Sequence, residues 1–341
     1  MPELPEVESL RLGLIARLYG QKIKKVIITK PKLVSGKGNV RTASDKKVKE
    51  FIRGLTGQTL IGIDRRAKNM VFRFKNGQML LVHLKMSGQF VYLEPGKEPV
   101  DGGHPIRFSV GRPTAPSEDS KRRRVKLPVG ARSSELWRAQ SERQLPNKHT
   151  HIIFEFSRGT LYYNDTRMFG YLLYYPNEKS FAAANHFEKL GLEPTLPEFT
   201  LAAFGVRLKQ KSGLPSSKIS ARQGRLKTVL MNQEVVTGLG NIYADEVCFL
   251  ARVRPTRPVK GLSSAEIKKL YAAIKKIIPR AIKLGGSSVA TYRLADGSRG
   301  NYAREHKVYG RAGLPCARCG RPLTKIQINH RTTVFCKHCQ K

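Results

Sequence analysis

Four of the five cysteines in this chain form two pairs, Cys316/Cys319 and Cys336/Cys339. Each pair is separated by two residues, and sixteen residues lie between the pairs. No other feature constrains the fold so tightly. Two such knuckles supply four thiolates to one tetrahedral zinc ion, and the connecting segment suits a β-hairpin. All four positions are cysteine, so no coordination site is left for water, and the expected Zn2+ is structural. A ribbon this small buries little core and depends on its metal to fold. Cys248 stands apart at an apolar helical position and reads as a small buried hydrophobe.

Charge bounds the partner. Lys and Arg total 63 against 25 Asp and Glu in 341 residues, giving a formal net charge of +38. Such a chain repels itself and calls for a polyanion, nucleic acid before an anionic membrane. A hydrophobic content of 40% is that of a globular chain. The length predicts two domains. No apolar run is long enough to span a membrane. The first residues carry glutamates where a signal peptide carries basic residues, so a cytoplasmic protein is expected. In that reducing compartment the cysteines do not suggest a disulfide framework.

The texture changes along the chain. Val7, Leu10, Leu14, Ile15 and Leu18 recur at helical spacing and predict a helix over residues 5–19. From Gly20 to Tyr175 short β-rich segments alternate with turns such as Asn76-Gly77, which predicts a sandwich or barrel of roughly eight strands. Residues 101–147 break that pattern. They hold ten Lys or Arg, the run "KRRRVK" at 121–126 and the single tryptophan, Trp137, and read as a long basic insertion. Beyond about residue 187 helical spacing dominates, with Ser263-Ser264 and Glu266 marking a helix start.

The opening "MPELPEVE" admits two readings. One is a helix start, with Pro5 in the first turn and Glu6 and Glu8 at the positive end. The other is chemical: if Met1 is removed, Pro2 becomes a free secondary amine, a nucleophile. Arg331, five residues before Cys336, also admits two readings, a phosphate contact or a solvated surface charge.

Further motifs lie in order: "RRAK" at 65–68, "HLKMSG" at 83–88, "KHTH" at 148–151, "DTRMFG" at 165–170, "GLGNIYADE" at 238–246, "VYGRAGLPC" at 308–316 and "RTTVFCKHCQ" at 331–340. With the PELPEVE opening, the β-rich first part, the helical second part and the cysteine ribbon, the chain resembles the Fpg/Nei family, of the formamidopyrimidine-DNA glycosylase type. The likeness spans nearly everything except 101–147 and a basic stretch near 211–224. It departs from the familiar pattern at Lys85, where glycine is usual, and at Ala290, where arginine is frequent.

The resemblance implies an α+β multidomain fold. An N-terminal antiparallel β-sandwich with a leading helix would span 1–177, and a hinge 178–190. A helix–two-turns–helix domain would span 191–304, with a lesion-capping loop at 285–302, and the zinc ribbon 305–341. It implies a bacterial, nucleoid-associated protein acting on double-stranded DNA that contains damaged bases; a monomer is expected, since nothing in the sequence requires an oligomer. The activity implied is excision of oxidised purines followed by strand cleavage. Pro2 would be the nucleophile, Glu3 the proton donor, and Lys68 and Arg331 further catalytic residues, with Glu6 assisting or merely charging the helix start. His83 and Lys148 would touch DNA, Met86, Arg167 and Phe169 would fill the void left by a flipped base, and Lys227, Asn241 and Tyr309 would hold backbone phosphate. A Nei-like preference for oxidised pyrimidines, and a noncatalytic DNA- or RNA-binding role, are the alternatives.

Overall fold

The computed structural model describes residues 1–38, 41–94, 100–102, 145–209, 224–287 and 300–341. Most of the expected basic insertion, the 211–224 stretch except Gly224, and the centre of the expected capping loop with Ala290 and Arg293 lie outside the described residues.

Helix α1 (Leu4–Leu18) begins where Pro5 fits the first turn, and the Glu6 carboxylate accepts the Glu3 N–H at 2.7 Å. Its apolar stripe is shared between two cores. Val7, Leu10, Leu14 and Leu18 enter the β-sandwich, whereas Leu4 enters the core of the helical part. The helix is therefore packed on both sides of the molecule's main division.

The sandwich consists of two antiparallel sheets. One is ordered β1 (Ile23–Ile28), β7 (Thr150–Phe156), β8 (Gly159–Asp165), β5 (Gly88–Leu93), β6 (Val100–Gly102). The other is ordered β2 (Leu60–Arg66), β3 (Asn69–Phe74), β4 (Met79–His83), β9 (Tyr171–Tyr175). Helix α2 (Asp45–Leu55) lies against β1 and β9. The strand total exceeds the expected eight because β6 pairs with β5, so the first residues assigned to the insertion belong to the sheet. Phe72, Phe90 and Tyr163 interlock between the sheets with ring centroids 5.3–5.9 Å apart. Each fully buried aromatic of this kind contributes roughly 1.5–3 kcal/mol.

The second half is helical: α3 (Glu178–Ala183), α4 (Leu201–Lys209), α5 (Leu226–Met231), α6 (Asn241–Ala251) and α7 (Ser264–Lys283). Ser263 and Glu266 cap α7 reciprocally, as their spacing predicts. Cys248 is fully buried in this core. The C-terminal hairpin pairs β10 (Thr324–Ile328) with β11 (Arg331–Phe335) around Asn329 and His330, both at positive φ. The hairpin docks on α6 through Phe249, Val308 and Val334. No helix among the described residues is long and apolar enough to cross a membrane.

Candidate active site

Glu3 is the hinge of the site. Its carboxylate, only 2% exposed, accepts N–H bonds from Gly240 (2.7 Å) and Ile242 (2.9 Å) at the start of α6. The glycines of "GLGN" make this approach possible. A Cβ on Gly240 would lie 2.5 Å from Glu3 Cδ, and Gly238, at φ +93, turns its carbonyl to accept the Leu4 N–H at 3.0 Å. Amides at a helix start are able to bind phosphate, but here they are occupied by the protein's own carboxylate. Burial pushes the Glu3 carboxyl above its ordinary range, with Lys68 opposing.

Glu6 lies one turn on. It accepts from the Tyr243 hydroxyl at 2.6 Å and from the Ser287 N–H at 2.7 Å. Burial and the adjacent Glu3 raise it to about 7. Ser287 Oγ lies 2.6 Å from His306 Nε2, so Ser287 is tied to both Glu6 and the approach to the ribbon.

Lys68 occupies the two-residue turn between β2 and β3, after Ala67 at φ 56. Its buried ammonium donates to the Leu239 carbonyl at 2.7 Å. Desolvation lowers it to about 8, against the pull of Glu3 and Glu6. Glu193 fixes this turn by accepting from the Ala67 N–H at 2.8 Å and pairing with Arg65 and Arg66.

Lys68, Glu3, Met1, His83, Lys85, Asn241, Tyr309 and Arg331 together line a cavity of about 370 Å³. The chain's terminal amine is held below its ordinary value of 8.0 chiefly by burial. Pro2 is half-buried. His83 Nδ1 accepts the Lys85 N–H at 2.9 Å, which leaves the ring proton on Nε2. Burial and nearby lysines push its pKa to about 3, so the ring is a neutral donor.

Met86, Arg167 and Phe169 converge although two separate loops carry them. The Arg167 guanidinium sits 4.8 Å over the Phe169 ring and donates to Met86 Sδ at 3.2 Å. Asp165 organises this group, and the sequence reading did not single it out. Fully buried, it accepts from the N–H groups of Gly170 (2.7 Å), Met168 (3.0 Å) and Arg167 (3.2 Å) and from the Ser87 hydroxyl. Arg41 braces the same turn through the Met168 and Gly170 carbonyls at 2.6 and 2.7 Å. Lys148 is exposed just before β7.

One expected phosphate ligand is placed otherwise. Lys227 is 1% exposed, and its ammonium meets Asp245 Oδ1 at 2.7 Å, the Thr332 carbonyl at 2.8 Å and Thr333 Oγ1 at 2.9 Å. Enclosed by these three oxygens, the buried ammonium presents no open face to a phosphate. It fastens β11, and therefore Arg331, to α6. Asn241, by contrast, lines the cavity, and its side chain is hydrogen-bonded to the Tyr309 hydroxyl.

The sulfurs of Cys316, Cys319, Cys336 and Cys339 lie within 4.8 Å of one another, with pairs at 3.9 and 3.6 Å. A zinc tetrahedron with Zn–S bonds of about 2.3 Å has edges of about 3.8 Å, so the donor set fits the ion. Glu246 fixes the approach to the ribbon by accepting the N–H groups of Val308 and Tyr309 at 3.0 and 2.9 Å. Chelating the metal should free the hairpin and withdraw Arg331 from the cavity. Thermal unfolding before and after chelation checks this: Tm should fall, and an unchanged Tm in metal-free protein would contradict it.

This architecture is matched along the whole chain by known proteins. The family model described as formamidopyrimidine-DNA glycosylase N-terminal domain matches residues 1–172. The H2TH domain model of the same enzyme matches 190–293, and the zinc finger found in FPG and IleRS matches 313–341. Formamidopyrimidine-DNA glycosylase of Listeria innocua is 36% identical over 342 residues, covering 100% of both chains. A Lactococcus lactis FPG mutant in complex with a Fapy-dG containing DNA superposes with a TM-score of 0.74 at 31% identity, covering 100% of both chains. The Lactococcus lactis Fpg complex with an abasic site containing DNA gives 0.72 at 30% identity, covering 99% of each. Family models, full-length relatives and solved structures agree, and the chain belongs to the formamidopyrimidine-DNA glycosylase family.

Proposed function

We propose that this protein excises oxidised purines, 8-oxoguanine and formamidopyrimidines, from duplex DNA and then cleaves the abasic strand by β,δ-elimination. The observation that carries the reading is the meeting of the chain's N-terminus, buried Glu3, Lys68 and Arg331 around one cavity. A glycosylase and lyase needs a neutral amine nucleophile beside a proton donor, with cations where phosphate departs.

With Met1 removed, the Pro2 nitrogen attacks C1′ of the damaged nucleotide and the base leaves with the glycosidic electron pair. Glu3 protonates the sugar ring oxygen as the ring opens. The secondary amine then forms an iminium, positively charged without a further proton. This cation accepts electrons as the C2′ proton is abstracted and the 3′ phosphate is expelled. A second elimination expels the 5′ phosphate, and the amine is freed by hydrolysis. Lys68, lowered to about 8, exchanges protons near neutrality, and Glu6, raised to about 7, buffers the amine and Glu3. Arg331 holds the departing phosphate.

Arg167 reaches the widowed base while Met86 and Phe169 fill the vacated stack. His83, Lys148, Asn241 and Tyr309 contact the backbone. Zinc, when bound, supplies no chemistry and holds the hairpin that carries Arg331. We divide the chain into 1–177, a hinge 178–190, 191–304 and 305–341, a reading supported by hydrophobic clusters that draw mainly on one segment each, with Leu4 in the helical core and Phe249 beneath the ribbon. The protein works as a monomer in the bacterial cytoplasm, on nucleoid DNA.

Borohydride tests the mechanism. Untagged protein mixed with duplex carrying 8-oxoguanine opposite cytosine should yield a reduced covalent adduct, lost on Pro2→Gly. With Met1 absent by mass, no adduct on this duplex, on an oxidised pyrimidine or on an abasic site would overturn the enzyme reading in favour of a DNA binder.

A further inference from the structure

Lys85 adopts φ 52, a left-handed conformation that side-chain-bearing residues reach only at a conformational cost. The turn is held there by its N–H bond to His83 Nδ1. The result brings a third cation to the cavity that Lys68 and Arg331 already line. The Lys85 ammonium has no carboxylate partner among the described residues. Its neighbours are the Tyr171 ring, with the centroid 5.7 Å away, and Arg41, which repels it. Lys68 is engaged with a carbonyl and faces Glu3, whereas Lys85 faces no acid in that way. A half-buried, uncompensated cation on a cavity wall next to Met86 is an anion-binding arrangement.

We propose that Lys85 is a further DNA ligand, its ammonium binding the backbone phosphodiester of the damaged strand beside the reacting sugar. The proposal rests on the proposed function for the nature of its ligand. It gives the strained turn a purpose, since the left-handed backbone places the charge between the catalytic cavity and the group that fills the void. It also adds a cation near the phosphates that leave in the two eliminations.

The test is the salt dependence of affinity for a duplex bearing a tetrahydrofuran abasic analogue. Lys85→Gly suits a positive φ, so its Tm should not fall. Removing one phosphate contact should reduce the slope of log Kd against log salt by about one. Affinity near 0.1 M salt should fall about three- to tenfold. Lys85→Arg should restore the slope. Lys24→Ala should leave it unchanged, because exposed Lys24 follows the far end of α1, roughly 20 Å from Glu3 at 1.5 Å per residue. A wild-type slope in Lys85→Gly, or an equal loss in Lys24→Ala, would overturn the proposal. Borohydride trapping by wild-type protein in the same preparation separates the two readings. Trapping with an unchanged Lys85→Gly slope sinks the phosphate ligand alone, whereas a changed slope without trapping sinks the enzyme reading and leaves the ligand standing.

Discussion

Glu3→Gln should lower the single-turnover rate of base excision by about 10²–10⁴, the range for loss of a positioned general acid. Two effects combine. The amide cannot protonate the sugar oxygen, and it fits the helix start badly. The carboxylate takes N–H bonds on both oxygens, Oε2 from Gly240 and Oε1 from Ile242. Glutamine offers one acceptor and one NH2, so one N–H at the start of α6 would face another donor. That mismatch costs about 1–3 kcal/mol, which a drop in Tm should register. The pH profile separates the two effects. An acid must hold its proton, and burial raises the Glu3 carboxyl, so wild-type excision should decline on the alkaline side as that proton is lost. The variant should lack this limb. Excision within about threefold of wild type would remove Glu3 from the role, being below the general-acid range.

Lys227→Ala should destabilise the protein by about 3 kcal/mol or more near pH 8, since it strands one member of a buried ion pair. Asp245 is already lifted to about 7 by burial, with Lys227 holding it down. Without Lys227 its folded pKa rises further, well above the unfolded value near 3.9. The folded variant then binds a proton that the unfolded chain has released. The wild type shares that proton uptake up to about pH 7, so the deficit relative to wild type grows as pH rises from about 7 through the variant's raised pKa, and is smallest below 7. Lys227→Met with Asp245→Leu should recover most of the loss, because no charge is stranded. Urea unfolding at three pH values measures this, and a deficit independent of pH would contradict it.

How much of this was legible in the sequence depended on distance along the chain. Helix α1 was readable because its stripe repeats within about four turns, and the zinc site because its ligands sit in two short knuckles. The convergence of Met86, Arg167 and Phe169 could be inferred only through the resemblance, since nothing local links residue 86 to residue 167. Asp165 passed unnoticed because a turn aspartate looks the same whether it binds one N–H or organises a whole loop. Lys227 was misplaced for a related reason. In a chain with 63 Lys and Arg, a lysine near a phosphate motif reads as a surface charge. Only the fold shows Asp245 and the Thr332 carbonyl closing around it. The motif "GLGN" is visible in the sequence, but the occupant of its turn, a carboxylate from the other end of the chain, is not.

The pairing of Glu3 with the start of α6 bears on how the protein is made. Glu3, Leu4 and Glu6 leave the ribosome long before residues 238–243 and 287, against which they take their working positions. Until that segment emerges, the terminal residues have neither the amides that hold Glu3 nor the Tyr243 hydroxyl that holds Glu6. A chain that stops short of residue 238 therefore lacks these groups that position Glu3 and Glu6. The proposed strand-cutting chemistry is thereby withheld from such early fragments of the protein.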